Sequence, residues 1–178
     1  MGRDKALLPV DGVPMAERVA RALEAGGCTP VVLVGGDGAA LATLGRPWVA
    51  DRHPGEGPVG GVLTALATSG TDVMVAACDL PDLDGRTVGA VLAAAAKHPE
   101  ADVVVAETTR LEPMLAWWPA RSQRLLQLAF TDGTRSLHEV IAAVAAVRQP
   151  VTPEPLRNVN RPADVDGGGC PGDEPVGG

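Results

Sequence analysis

The stretch Asp72-Val73-Met74-Val75-Ala76-Ala77-Cys78-Asp79-Leu80-Pro81 decides how the rest of the chain is read. The residues after Asp72 are apolar without alternation, the pattern of a strand covered on both faces, as in a parallel sheet. Leu80-Pro81 then stops the strand and fixes its exit, because proline restricts the residue before it as well as itself. The chain therefore delivers a carboxylate, Asp79, from the end of a buried strand. Such a group suits Mg²⁺ together with phosphate oxygens, since Mg²⁺ takes few protein ligands. The plainer use of Asp79 is to cap a turn or helix starting near Asp82.

Outward from this stretch the pattern repeats. Val31–Val34 and Val103–Ala106 read as two more buried strands, Trp48–Ala50 and Pro113–Trp118 as further strands, and Ala145–Val147 as an edge strand. Trp117 and Trp118, as neighbours on a strand, face opposite ways, one toward the core. Between the strands lie helical segments: Pro14–Ala25 with Met15, Val19, Ala22 and Leu23 at helical spacing, Ala39–Leu44, Val62–Thr68, a helix capped by Asp84 and running to Lys97, Gln123–Phe130, and Ser136–Ala143. Strands alternating with helices predict a three-layer α/β/α, Rossmann-like architecture with a mostly parallel sheet. Residues 1–166 form one domain in this reading. Residues 167–178 are Gly, Pro and acid with almost nothing to bury, the composition of a disordered tail.

Open α/β sheets bind ligands beyond the carboxyl ends of their strands. That rule selects Gly35-Gly36, Asp51 and Cys78-Asp79. Asp51 enters a loop with Gly55, Gly57, Pro58, Gly60 and Gly61, where the backbone can approach a ligand closely; the commoner meaning of such a loop is a surface turn. Lys5 precedes a turn at Asp11-Gly12 and suits developing phosphate charge, although an ordinary surface lysine fits equally. Asn158 and Asn160 alternate about Val159, which puts both amides on one side of an extended segment, available to a heterocycle or to a helix cap. Arg135, after a glycine turn, suits an anion or a solvated salt bridge.

Charge and composition narrow the classes. The net charge is −7 with no basic cluster, which excludes a nucleic-acid surface and makes a divalent cation the natural mediator of any phosphate ligand. Aromatics are 2% against 46% apolar residues, so small aliphatic side chains must build the core. Cys28, Cys78 and Cys170 lack zinc or disulfide-framework spacing, and reduced thiols point to the cytoplasm. No apolar run reaches membrane-spanning length. His53, His98 and His138 assemble no Ser/His/Asp set, so nucleophilic hydrolysis is unsupported.

Taken in order, five segments resemble the molybdenum cofactor guanylyltransferases among the nucleotidyltransferases: Met1-Gly-Arg-Asp-Lys5-Ala-Leu-Leu with Gly12-x-Pro14; Asp51 with Gly57-Pro58-x-Gly60-Gly61; Cys78-Asp79-Leu80-Pro81; Gly133-x-Arg135-Ser136-Leu137; and Asn158-Val-Asn160-x-Pro162-x-Asp164. The resemblance implies the nucleotidyltransferase fold and a reaction in which the terminal phosphate of molybdopterin attacks the α-phosphate of GTP, releasing pyrophosphate. It implies that Lys5 holds nucleotide phosphates, that Asp51 lies in the GTP site, and that Asp79 binds Mg²⁺ and nucleotide. Val34 falls at a GTP-contacting position where only its backbone or packing can contribute. Asn158 and Asn160 fall on the molybdopterin side. Partners implied are GTP, molybdopterin, and molybdenum-inserting or acceptor enzymes, with no nucleic acid and no membrane. The family pattern opens with an apolar strand and a Leu-Ala-Gly-Gly loop ahead of the Met-Gly matched here. The expectation is therefore a chain lacking its central first strand and the loop amides around the phosphates. A cytidylyltransferase, a related sugar-phosphate enzyme and a catalytically silent nucleotide-binding module are the alternatives.

Overall fold

The structure, a computed structural model, describes residues 5–157. After a single 3₁₀ turn at Lys5–Leu7, strands β1 (Pro9–Val10) and β2 (Val13–Pro14) form a small hairpin. Its turn is Asp11-Gly12, both at left-handed φ (+50° and +76°), where Gly costs nothing and Asp is tolerated. Helix α1 (Met15–Ala25) follows and buries Met15, Val19, Ala22 and Leu23, the face set by their spacing. The central segments are β3 (Leu33–Val34), α2 (Gly38–Leu41), β4 (Trp48–Val49), α3 (Pro58–Ser69), β5 (Val73–Ala76) and α4 (Gly85–Lys97). The chain continues through β6 (Val103–Glu107), β7 (Leu111–Trp118), α5 (Ser122–Thr131), α6 (Leu137–Ala142) and β8 (Ala146–Pro150).

The main sheet has the order β5-β7-β6-β8. β7 runs antiparallel to both neighbours, while β6 and β8 are parallel, so β5, β6 and β8 point one way. β6 shows the period-two logic of a central strand. Val104 and Ala106 join α1 and α4 in one core, with Val19, Leu23, Val88 and Val91. Val103 and Val105 join α3, α5 and α6 in the other, with Val59, Leu66, Leu126 and Leu137. Two helical layers thus sandwich the sheet, giving a three-layer α/β/α fold. Trp118 is the fully buried member of the tryptophan pair, in the second core; Trp117 is partly buried against the first.

β3 and β4 form a separate parallel pair, with no ladder to β5 among the described residues. Two cavities of about 420 and 680 Å³ lie between them, and Leu23, Val31, Val32, Val34, Ala65 and Met74 line both. This gap corrects the expectation of full burial. Val73–Ala76 are all half-buried, whereas Val103–Ala106 are fully buried. An apolar run specifies covered faces, but one edge of β5 pairs with no strand among the described residues. Several boundaries also shift, β7 starting at Leu111 and β8 reaching Pro150. The strand expected over Val31–Val34 shortens to two residues, and the helix after the glycine loop begins at Pro58, because proline is preorganised for the first helical position.

Candidate active site

β3 ends at Gly35-Gly36, β4 runs through Ala50 to Asp51, and β5 runs through Ala77 to Cys78-Asp79. Gly35, Gly36, Asp51, Ala77, Cys78 and Asp79 line the cavity of about 420 Å³, together with Val34, Gly57 and Pro58. The carboxyl ends of three strands therefore meet at one hollow. Gly35 and Gly36 both have left-handed φ (+74° and +71°), and the Trp48 indole donates to the Gly35 carbonyl at 2.7 Å, fixing the turn. Val34 is 37% exposed on the cavity wall, able to offer packing and backbone.

Lys5 Nζ lies 3.2 Å from Asp79 Oδ2, so two residues singled out 74 positions apart in sequence are in contact. The turn after Asp79 is braced from α1: Arg18 Nε donates to the Pro81 carbonyl at 2.7 Å, and its guanidinium reaches Asp82 at 3.7 Å. The residue that caps α4 is Asp84, not Asp79 or Asp82. Its carboxylate accepts the Thr87 amide at 2.7 Å, which holds the acid below its ordinary pKa.

Asp51 is anchored on one oxygen. Oδ1 accepts the His53 amide at 2.9 Å and the Thr64 hydroxyl at 2.9 Å. Thr64 lies on α3 and is fully buried. Glycine is required where α3 begins. A Cβ on Gly60 would stand 2.7 Å from the His53 Cβ, and Gly57 combines a φ of +81° with a Cβ direction 3.1 Å from the Arg135 carbonyl. The glycines thus let the loop, the helix start and the α5–α6 turn pack together.

Arg135 is committed to the protein. It bonds Glu56 at 2.7 and 3.0 Å, donates to the Phe130 carbonyl at 2.7 Å, and stacks 3.9 Å over the Phe130 ring. The anion-contacting option for Arg135 is therefore not the arrangement seen; the salt bridge is. His53 packs on Phe130 at 4.5 Å between centroids, a packing contact. Asn158 and Asn160, with the expected tail at 167–178, lie outside the described residues. Thr64, Arg18 and Trp48 were not singled out by the sequence. For Thr64 the signal was a lone hydroxyl in an apolar helical run, whereas nothing local marks Arg18.

Among the described residues, the charged side chains lining the cavity are two carboxylates, Asp51 and Asp79. Such a wall repels a polyphosphate unless a cation lies between, and hard oxygen donors match Mg²⁺. No cluster of three or more His, Cys, Asp or Glu side chains occurs among the described residues, so no all-protein metal cage is present there. Cys78 is exposed at the same wall; Cys28 is half-buried, and burial raises its thiol pKa. No described helix is long and apolar enough to cross a membrane.

Strand-end glycines, a lysine–carboxylate contact and an acidic hollow thus lie together at the carboxyl ends of strands in a three-layer α/β/α fold. A family model for the MobA-like NTP transferase domain matches residues 1–149, and the chain belongs to that family. It is 32% identical over 177 residues to a probable molybdenum cofactor guanylyltransferase of Opitutus terrae, covering 93% of this chain and 87% of the relative. It is 31% identical to the molybdenum cofactor guanylyltransferase of Rhodobacter capsulatus, covering 93% and 86%. Among solved structures it is similar to molybdopterin-guanine dinucleotide biosynthesis protein A from Archaeoglobus fulgidus, with a TM-score of 0.71, 22% identity, and coverage of 90% and 86%.

Proposed function

We propose that this chain transfers GMP from GTP to the terminal phosphate of molybdopterin in the cytoplasm, using Mg²⁺. The observation that carries the reading is the single cavity into which β3, β4 and β5 bring Val34, Asp51 and Asp79, with Lys5 in contact with Asp79. The guanylyltransferase names of relatives that the chain covers to 87% and 86% support this choice of substrates.

In this reaction a molybdopterin phosphate oxygen forms a bond to the α-phosphorus of GTP. The bond from that phosphorus to the bridging oxygen breaks, and pyrophosphate leaves. Such displacement depends on positioning and charge neutralisation more than on a protein nucleophile. Asp79, with Asp51 nearby on the wall, would hold the metal, which when bound offsets charge on the phosphates. Lys5 exchanges its contact with Asp79 for the nucleotide phosphates, so its charge follows the negative charge that builds on the leaving group. Asp51 and the Gly57-Pro58 backbone line the nucleotide side, Val34 packs against it, and Asn158 and Asn160 take molybdopterin.

The test is pyrophosphate release from GTP, CTP, ATP or UTP in the presence of molybdopterin and Mg²⁺, for wild type and Asp79→Asn. GTP alone should turn over, and the variant should lose about a hundredfold or more. Turnover with CTP alone overturns the guanylyl reading, and unimpaired Mg²⁺-dependent turnover by Asp79→Asn overturns the metal assignment.

A further inference from the structure

We infer that Thr64 is the positioning residue that aims Asp51 at the nucleotide. The inference rests on the reading above, in which Asp51 belongs to the GTP site. The Thr64 side chain is fully buried and its hydroxyl sits at the meeting point of three groups. Oγ1 lies 2.9 Å from Asp51 Oδ1 and 3.0 Å from the Gly60 carbonyl, and it accepts the Arg52 amide at 3.1 Å. A hydroxyl has one proton for its two acceptors. A helical threonine ordinarily gives that proton to the carbonyl four residues back, here Gly60. The Asp51 carboxylate competes as a charged acceptor, and charge-assisted bonds are roughly twice as strong as neutral ones. The proton therefore goes to Asp51.

The consequence is a carboxylate with two unlike oxygens. Oδ1 is tied by Thr64 and by the His53 amide, while Oδ2 has no hydrogen bond to any described residue. With one oxygen fixed to a buried helix and the backbone, Asp51 is held in one orientation on the cavity wall. The other oxygen is left for the nucleotide or its cation. The same hydroxyl ties the Arg52 amide, so the chain leaving β4 and the first turns of α3 share one joint. Without it, Asp51 keeps a single local bond, and ordering the carboxylate falls to the ligand.

The test measures MgGTP affinity and thermal unfolding for the full chain and four variants: Thr64→Val, Thr64→Ser, Asp51→Ala, and Thr64→Val with Asp51→Ala. Valine keeps the shape without the hydroxyl, and serine keeps the hydroxyl without the methyl. Thr64→Val should weaken GTP binding about tenfold, the worth of one hydrogen bond to a charged group. Thr64→Ser should bind within about twofold to threefold of wild type despite its own packing loss. In the Asp51→Ala background, Thr64→Val should change affinity no further. If valine prevents folding, Thr64→Ala is compared with Thr64→Ser in the same way. Equal weakening by serine and valine, or an undiminished valine effect without Asp51, overturns the positioning role. Asp51→Ala with unimpaired GTP binding overturns the Asp51 assignment itself, and this inference with it.

Discussion

Replacing Arg46 with methionine removes the side chain that fastens the β3–β4 pair to the rest of the molecule, while its apolar stem is kept. Arg46 precedes β4 and is only 14% exposed. Its guanidinium makes four bonds, to Glu17 at 2.6 and 3.2 Å and to Glu24 at 2.7 and 3.2 Å, both carboxylates being on α1. These bonds hold both acids below the ordinary carboxylate range; for Glu17 the Arg46 hydrogen bond is the largest influence, ahead of the opposing effect of burial and the bond from Arg21. Exposed pairs contribute about 0.2–1 kcal/mol and breaking a buried one costs about 3–5. Glu17 lies between these limits and keeps Arg21 at 2.8 Å, so its loss of Arg46 costs about 1–3 kcal/mol. For a chain of this length that lowers Tm by about 3–9 °C.

The sign of the pH dependence follows from the direction of the shifts. A lowered folded pKa means that the ionised acid stabilises the native state. The contribution is complete above the unfolded carboxylate value of about 4.3 and is lost as pH falls through the lowered folded value. The gap between wild type and Arg46→Met should therefore be constant near neutrality and close below about pH 4. Thermal unfolding from pH 8 to pH 3 reads the gap, and hydrogen exchange reads its place: amides of β3 and β4 should exchange faster while those of β6 stay protected. An unchanged Tm at pH 7, a gap that persists to pH 3, or faster exchange spread evenly over the sheet would refute the argument.

Two further outcomes are expected. Asp84→Ala should cost about 0.5–2 kcal/mol in urea unfolding at pH 7, because the Thr87 amide loses its cap. Since the folded pKa of Asp84 is also lowered, that difference should shrink in acid below the unfolded value of about 3.9; equal midpoints at pH 7 would count against it. In a Cys170→Ser background, iodoacetamide should modify exposed Cys78 faster than Cys28, whose thiol is disfavoured as a thiolate by burial. MgGTP should protect Cys78 and leave Cys28 unaffected, and labelling of Cys78 indifferent to nucleotide would place the nucleotide elsewhere.

The parts of this molecule legible in the sequence are those whose cause is local. Asp84 caps α4 where the sequence puts it, because the cap and its amide are three residues apart. The strand ends carrying Gly35-Gly36, Asp51 and Asp79 were legible because each follows an apolar run, and their convergence follows from the rule for parallel strands. Three features were not. The insertion of β7 between β5 and β6 depends on strand order, to which an apolar run is indifferent. Gly60 and Gly61 read as loop because glycine is a poor helix former, yet Gly60 sits in α3 where a side chain would strike His53. The braces join residues 13 to 63 positions apart, Thr64 to Asp51 and Arg18 to Pro81 among them, and no local pattern marks such pairs.

Those long-range braces matter more here than in a continuous sheet. Asp51 leaves the β3–β4 pair and Asp79 leaves β5, and no ladder joins the two sheets among the described residues. The distance between the carboxylates is set by the elements that hold each sheet. Helix α1 holds both: Glu17 grips Arg46 on the β4 side, and the next residue, Arg18, grips the Pro81 carbonyl just beyond Asp79. Helix α3 adds a tie through Thr64 to Asp51 and also packs on β5. A cation or polyphosphate bound to both carboxylates would add a bridge across the gap, and its binding free energy would stabilise the folded chain by linkage. The two halves of the site are therefore coupled through α1. A perturbation of Glu17 or Arg18, neither of which lines the cavity, should reach the nucleotide through the relative placement of Asp51 and Asp79.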